Sequence, residues 1–341
     1  MVRILYRGQP AQLLMRIGKQ LAVAAGFAAL ACRSSAVGFL ANLDPTALLR
    51  GFTVRRALFL ALDDKPTRDI KATICMKEGD GTFHKAEVLM NTEGFERLEL
   101  KGANGTKKVI LDNLDTRTIY DPARGKISVG KSPRSLNGEG KRIELIFKNY
   151  NVELKRVTLL QRTVLKISAA PKVPELSKVD IYVDPQSGFV LQTISTGPNG
   201  HEFNYYRTCS LTYPSHIPSY QFQLISAGPI STSQEPAPRF VQTYAEAKKI
   251  LGYKPLAFKS GAEGFVVEKL FILGHAHPKG LGIQLTNGLA HATVFEFAES
   301  KAPKWVRSGS GKDAPIFRKG IYLKIFCRES APIIIGLQRG F

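Results

Sequence analysis

Residues Ser177–Tyr206, with the sequence SKVDIYVDPQSGFVLQTISTGPNGHEFNYY, predict three consecutive antiparallel strands. The first strand alternates apolar and polar side chains with the period of two that is typical of a half-buried strand. Proline and glycine in Asp184–Gly188 predict a tight turn, and Asn199-Gly200 is a strong hairpin signal. The strands Phe189–Ser195 and His201–Tyr206 follow these two turns. The stretch therefore predicts an antiparallel meander with one apolar face and one polar face.

Length and composition place this meander in an ordinary globular protein. The chain has 341 residues, of which 44% are hydrophobic, so we expect two domains with cores of their own. The sequence has no apolar run of the ~20 residues that a mature transmembrane helix needs. The formal net charge of +20 favours anionic partners such as nucleic acid, acidic lipid or an acidic protein surface.

The segment 1–31 has the pattern of a secretory signal peptide. It contains basic but no acidic residues, and it ends in the apolar run Leu21–Ala31. Met15 is an alternative start, because the segment that begins there is a more typical signal. Cys32 follows a small residue and offers a site for a lipid anchor. We therefore expect export to the periplasm or extracytoplasmic envelope; the alternative is a buried helix of the folded domain.

The first domain, 44–226, is predicted to be one helix followed by a long β-meander. Asp44 is a good N-cap and Pro45 suits the first helical position, so a helix is expected over Pro45–Leu62. Short strands separated by turns then predict one curved antiparallel sheet or an open barrel. Besides the meander described above, the predicted strands are 70–77, 83–91, 95–101, 107–112, 116–120, 151–156, 159–169, 209–213 and 220–224, with a short helix over 142–150.

A linker and a smaller α+β domain are predicted to follow. The segment 227–239 is rich in proline and small polar residues, as linkers are. In the second domain, 240–341, a helix is expected over Thr243–Leu251 with Gly252 as its C-cap. The predicted strands of this domain are 263–273, 283–286, 289–298, 321–328 and 333–337.

The four cysteines do not have the spacing of a zinc site. In an oxidising compartment, either a Cys75–Cys209 or a Cys209–Cys327 disulfide is possible. Free buried thiols are the simpler expectation.

No motif in the sequence predicts catalysis, a metal site or a cofactor. His275 and His277 lie two residues apart, but no nearby acid or cysteine completes a ligand set, so we expect a pair at the edge of a loop. No nucleophile elbow or phosphate-binding loop is present. The sequence therefore favours a non-enzymatic protein, and a hydrolase or metal enzyme built on the two histidines is the weakest alternative.

A basic segment, 301–320, interrupts the strands of the second domain. Basic residues beside an aromatic one are typical of surfaces that bind lipid headgroups, lipopolysaccharide phosphates or nucleic acid. Export argues against nucleic acid, and a solvated loop is the remaining alternative. The candidate anion- or partner-binding residues are Lys301, Lys304, Trp305, Arg307, Lys312, Arg318 and Lys319.

Several stretches resemble a known family. The turn within Tyr182–Leu191 resembles that of the outer-membrane lipoprotein carrier superfamily, the LolA-like and LolB-like proteins. Asn149–Val152 and Thr208–Ile217 are closer to one branch of it, the MucB/RseB family of sigma-E regulators. Glu263–Phe265 and Thr286–Phe295 resemble the C-terminal domain of that family.

The resemblance implies an antiparallel half-barrel wrapped on a helix, followed by a small α+β domain. Family members bind acyl chains of lipoproteins or lipopolysaccharide in the half-barrel, and the MucB/RseB branch also binds the periplasmic part of an anti-sigma factor. The alternative is a lipoprotein or glycolipid carrier without a signalling role. Sequence alone does not say which strand face lines the cavity; the candidate residues are Ile181, Val183, Phe189, Leu191, Phe203 and Tyr205.

Overall fold

The computed structural model describes residues 45–63, 65–77, 83–101, 107–132, 134, 139–224, 231–234, 239–259, 264–273, 279–308 and 316–327. The chain divides into two compact units, Met1–Thr53 and Val54–Phe341. The predicted signal peptide, Cys32, the two neighbouring histidines and the strand predicted over 333–337 lie outside the described residues.

Four α-helices and eighteen strands are present in the described residues. The helices are α1 (Pro45–Leu62), α2 (Glu139–Asn149), α3 (Tyr244–Leu251) and α4 (Lys304–Arg307). The strands are β1 (Ile70–Lys77), β2 (Phe83–Met90), β3 (Glu96–Lys101), β4 (Lys107–Asp112), β5 (Thr116–Asp121), β6 (Lys126–Lys131), β7 (Tyr150–Leu159), β8 (Arg162–Pro171), β9 (Lys178–Val183), β10 (Val190–Thr196), β11 (Glu202–Thr212), β12 (Ser231–Gln234), β13 (Arg239–Val241), β14 (Val266–Leu273), β15 (Gly280–Thr286), β16 (His291–Ala298), β17 (Ile316–Arg318) and β18 (Ile321–Cys327).

The first twelve strands form one open sheet in the order β12-β6-β5-β4-β3-β2-β1-β11-β10-β9-β8-β7. Its neighbouring strands are antiparallel except β12 and β6, which are parallel. The predicted meander is confirmed as β9, β10 and β11, which are consecutive neighbours in this sheet. The predicted α+β class with a mainly antiparallel sheet is therefore confirmed.

The turn between β9 and β10 is held by a buried carboxylate. Asp184 accepts hydrogen bonds from the backbone N–H of Ser187 at 3.0 Å, from the Ser187 hydroxyl at 2.7 Å and from the Tyr213 hydroxyl. Gly188 has a φ of +77°, which a residue with a side chain rarely adopts. Burial, with the hydrogen bond to Asp184, raises the pKa of Tyr213 to about 12. The glycine predicted from the sequence thus sits where the turn requires it.

The second sheet has the strand order β13-β14-β15-β16-β18-β17. Helix α3 packs on it, and Gly252 caps its C-terminus as the sequence predicts, while Thr243, predicted as its first residue, is its N-cap. The Thr243 hydroxyl accepts the backbone N–H of Glu246 at 3.1 Å, and Gly252 is left-handed with a φ of 76°.

The two faces of the second sheet are covered differently. On one face, Leu281, Ile283 and Leu323 belong to a buried cluster that includes Ala247 and Leu251 of α3. On the opposite face, Ala302 and Val306 pack with Phe297 and Tyr322. Because opposed residues of paired strands share a face, the pairing of Glu296 with Leu281 and Leu323 assigns Glu296 to the α3 side. Helices α3 and α4 therefore cover opposite faces.

The two sheets share one core. The cluster that contains the α3 side of the second sheet also contains Val54, Ala57 and Leu58 of α1 and Ile146 of α2. The sequence predicted two domains separated by a linker over 227–239, and these domain boundaries stay a prediction. Within that segment, residues Ser231–Gln234 form β12, which pairs with β6 at the edge of the large sheet.

Cys75 and Cys209 form a disulfide between the neighbouring strands β1 and β11. The expectation of free thiols is wrong for this pair, because the meander brings the two cysteines to adjacent strands. Of the two pairings that the sequence left open, Cys75–Cys209 is the one present, so Cys209 is not available to Cys327.

Four further elements differ from the sequence prediction. Residues Ser219–Phe222 form a 3₁₀ helix and not the strand predicted over 220–224. Strands β6 and β17 were not predicted at all. The strands predicted over 201–206 and 209–213 are one long strand, β11.

Candidate functional site

Two of the predicted cavity residues lie in the shared core. Ile181 and Val183 point to one face of β9 and belong to the same buried cluster as Ala57 and Leu58 of α1. Val183 has no exposed surface. These two residues therefore lie in the packed core that also contains α1.

Two other predicted cavity residues belong to a different cluster. Leu191 is buried with Ile70, Ala72 and Val88, and Phe189 packs against this second cluster. The side chains of Phe203 and Tyr205 lie outside the described residues, although both residues belong to β11. The four described residues are thus divided between two clusters, and a role for any of them in lining a ligand cavity stays a prediction.

A more open apolar surface occurs on the outer strands of the large sheet. Ala72, Val88, Leu98, Ile110 and Ile119 are directly opposed in register across β1 to β5, so they lie on one face. Ala72 and Val88 are buried, whereas Leu98, Ile110 and Ile119 are half-buried. We call these last three residues the outer apolar row. They extend the second cluster outwards as a partly exposed apolar surface.

The opposite face of the same strands carries a charged pocket of 280 Å³. Arg97 donates to Glu99 at 2.6 Å and to the backbone carbonyl of Gln221 at 3.0 Å, which fixes the 3₁₀ helix over this pocket. Lys71 and Glu87 also line it. Its charged walls suit polar ligands and not acyl chains.

The candidate anion-binding residues lie around α4. Lys301, Lys304, Arg307 and Lys319 are exposed. Lys312 lies outside the described residues, as do the side chains of Trp305 and Arg318. Lys301, Lys304 and Arg307 belong to the segment that covers Phe297, and Lys319 lies in the turn between β17 and β18.

A buried carboxylate on the other face of this sheet was missed from the sequence. Glu296 has no exposed surface, and its two carboxylate oxygens each lie 3.2 Å from the backbone N–H of Leu256. The Tyr253 hydroxyl donates to the backbone carbonyl of Glu296, also at 3.2 Å. Burial raises the pKa of Glu296 to about 8, while the hydrogen bond from Leu256 opposes this shift. The alternation of Ala292, Val294 and Glu296 along the strand was a signal that this side chain faces the core.

A polar junction holds α2 against the second sheet. The side-chain amide of Asn149 donates to the backbone carbonyls of Gly264 at 3.0 Å and Asn287 at 2.9 Å. The amide of Asn287 in turn donates to the Tyr150 hydroxyl at 2.9 Å. These groups are buried, so each hydrogen bond replaces water that the junction excludes. The junction therefore fixes α2 on the turn between β15 and β16.

Replacing Gly288 with alanine is expected to lower the free energy of unfolding by about 2 kcal/mol or more. Gly288 has a φ of +104°, and a Cβ there would lie 2.8 Å from the backbone nitrogen of Ile146. Gly200→Ala is the matched control, because Gly200 has a φ of +80° and its Cβ would meet nothing within 4 Å. Denaturant unfolding of both variants measures the difference. An equal loss in both would show that close packing at the junction contributes nothing.

Within the described ranges, no group of three or more histidine, cysteine, aspartate or glutamate side chains is placed to hold a metal ion. In the described part of the chain, no helix has both the length and the apolar composition needed to cross a membrane.

Comparisons with known proteins identify the fold. No family model and no curated protein matches the sequence. The crystal structure of MucB matches with a TM-score of 0.52 and 12% identity, over 85% of this chain and 97% of that chain. The fold is that of MucB. The complex of MucA and MucB from Pseudomonas aeruginosa matches with a TM-score of 0.55 and 14% identity, over 84% of this chain and 96% of that chain. MucB in complex with MucA(peri) matches with a TM-score of 0.56 and 13% identity over the same shares.

The match to MucB takes in both sheets, because neither sheet alone spans so large a share of the chain. The family resemblance that the sequence motifs predicted is therefore confirmed at the level of the fold.

Proposed function

We propose that this chain is a non-enzymatic protein of the cell envelope that binds acyl chains of lipids or lipoproteins and regulates an extracytoplasmic-stress sigma factor through an anti-sigma factor. The observation that carries the proposal is the match to MucB along almost its whole length, including MucB in complex with MucA. A chain with only a ligand-binding module would be expected to match only one of the two sheets of MucB.

The acyl-binding part of the proposal rests on the outer apolar row. Leu98, Ile110 and Ile119 continue a buried cluster onto strands that are only half-buried. An acyl chain laid along them would gain about 0.8 kcal/mol for each CH₂ group removed from water. The row is a better candidate wall than Ile181 and Val183, which already pack in the core.

The compartment part of the proposal is supported by the Cys75–Cys209 disulfide. Structural disulfides persist in oxidising compartments such as the periplasm and are rare in the cytosol. Together with the signal-like segment 1–31, the disulfide favours an envelope protein.

Binding of a triacylated lipopeptide tests the proposal. We expect the protein to retain the lipopeptide in native mass spectrometry and Ile119→Arg to weaken that binding at least tenfold, because it places a charge in the acyl path. Thr118→Arg is the control, since this neighbour lies on the opposite face of β5. Retention of the lipopeptide by Ile119→Arg, or no binding by the wild type, would contradict the acyl-binding role.

Regulation requires a separate measurement. We expect loss of the protein to raise transcription from promoters of an extracytoplasmic-stress sigma factor, because the anti-sigma factor would lose its protection. Lipopeptide binding without any change in those transcripts would instead indicate a carrier.

A further inference from the structure

An exposed aromatic side chain lies at the edge of the second sheet. Phe317 belongs to β17, the last strand of this sheet, and 49% of its surface is exposed. Its ring centroid lies 4.8 Å from that of Tyr322, which places it on the face that α4 covers. Phenylalanine has no polar atom that would favour this exposure.

Exposed cations lie on the segments next to this phenylalanine, α4 and the turn between β17 and β18. Val306 and Ala302 are buried against Phe297 and Tyr322, so α4 and the turn before it turn their other side chains outwards. Within residues 301–307, Lys301, Lys304 and Arg307 are exposed. Lys319 is exposed at the turn before β18, and the neighbouring Gly320 accepts a backbone hydrogen bond from Glu299 at 2.8 Å.

This surface has little compensating negative charge. Glu299 is the exposed acid among residues 296–308. No ion pair joins Lys301, Lys304, Arg307 or Lys319 to a carboxylate among the residues that the structure describes. We call Phe317 with these four cations the basic edge. It combines exposed positive charge with an exposed aromatic side chain.

We propose that the basic edge docks the second sheet on an anionic phospholipid surface. Each lysine or arginine close to such a surface adds attraction that extends over about a Debye length. The exposed ring of Phe317 would enter the interface between headgroups and acyl chains. The surface thus fits a bilayer better than an acidic protein, because its exposed apolar group has no use in purely ionic pairing.

Sedimentation with lipid vesicles tests this proposal. The protein with its natural N-terminus is mixed with vesicles of phosphatidylcholine alone or with vesicles that also contain phosphatidylglycerol. We expect binding to the anionic vesicles only, weakened by added salt. The double variant Lys304→Glu, Arg307→Glu should reduce this binding by at least about tenfold.

A matched control separates the site from the overall charge. Lys248→Glu, Lys249→Glu makes the same change of charge on α3, which covers the opposite face of the same sheet. This variant should bind anionic vesicles nearly as well as the wild type. Phe317→Ser should weaken binding severalfold without any change of charge. Unchanged unfolding midpoints confirm that all variants fold.

Two results would overturn the proposal. One is equal loss of binding in the α3 and α4 variants, which would indicate net charge alone. The other is full binding to anionic vesicles by both the α4 variant and Phe317→Ser. That result would show that the basic edge does not contact the membrane, and an acidic protein would then be its expected partner. Lipopeptide binding by the outer apolar row is a separate property. Vesicle binding by the basic edge can therefore fail while lipopeptide binding is retained, and the reverse also holds.

Discussion

Replacing Cys75 and Cys209 together with alanine is expected to lower the free energy of unfolding by about 3–5 kcal/mol. The disulfide joins residues separated by 134 positions, so it removes much of the conformational freedom of the unfolded chain. Strands β1 and β11 keep their backbone pairing in the variant, and the loss therefore arises mainly in the unfolded state. Unfolding in guanidinium chloride measures this loss of stability, which should appear as a lower denaturation midpoint for the double variant.

A reducing agent supplies the control for the cysteine variant. We expect it to shift the wild-type midpoint by nearly the same amount and to leave the double variant unchanged, since that variant has no Cys75–Cys209 bond to break. A double variant that unfolds at the wild-type denaturant concentration would show that the link adds nothing to stability.

Replacing Glu296 with glutamine is expected to remove a pH dependence of about 3–5 kcal/mol from the free energy of unfolding. The pKa of Glu296 is about 8 in the folded protein, above the ordinary value of the unfolded chain. The folded state therefore binds the proton more tightly than the unfolded state. The stability that this proton contributes is complete below the ordinary carboxyl pKa and is lost as the pH rises towards 8.

Unfolding curves at several pH values test this prediction. The stability of the wild type relative to Glu296→Gln should fall between about pH 4.5 and pH 8 and stay constant above that range. Tyr253 and Tyr244 face the carboxylate, and burial raises the pKa of both, so neither titrates in this range. Glu299→Gln is the control, because Glu299 is exposed just beyond the end of the same strand. A difference that does not change with pH would contradict the buried-carboxylate account.

Local chemistry predicted the regular elements of this fold well. Helix α1 begins at the proline predicted for its first position and ends at the predicted residue, and α3 ends at the predicted cap Gly252. The meander followed from alternation and from turn residues at Asp184–Gly188. In each case the interactions that set the element join residues close together in the sequence, so they can be predicted from the sequence alone.

Elements that depend on distant partners were missed. Strand β12 has its partner β6 about a hundred residues earlier, and neither strand has a strong apolar pattern of its own. The disulfide depended on the same kind of information, since β1 and β11 become neighbours only when the large sheet is complete. The division of the predicted cavity residues between two clusters also depends on distant partners. Ile181 and Val183 share a core with α1, whereas Leu191 packs with residues of β1 and β2.

Strand β12 has a mechanical consequence. It ends at Gln234 on the outermost edge of the large sheet, and β13 begins at Arg239 on an edge of the second sheet. Even a fully extended backbone between these two residues spans only about 18 Å. The outer strands that carry the apolar row are therefore tied to the second sheet by a short covalent tether. A ligand that displaced those strands would pull directly on β13, without any signal having to cross the packed core.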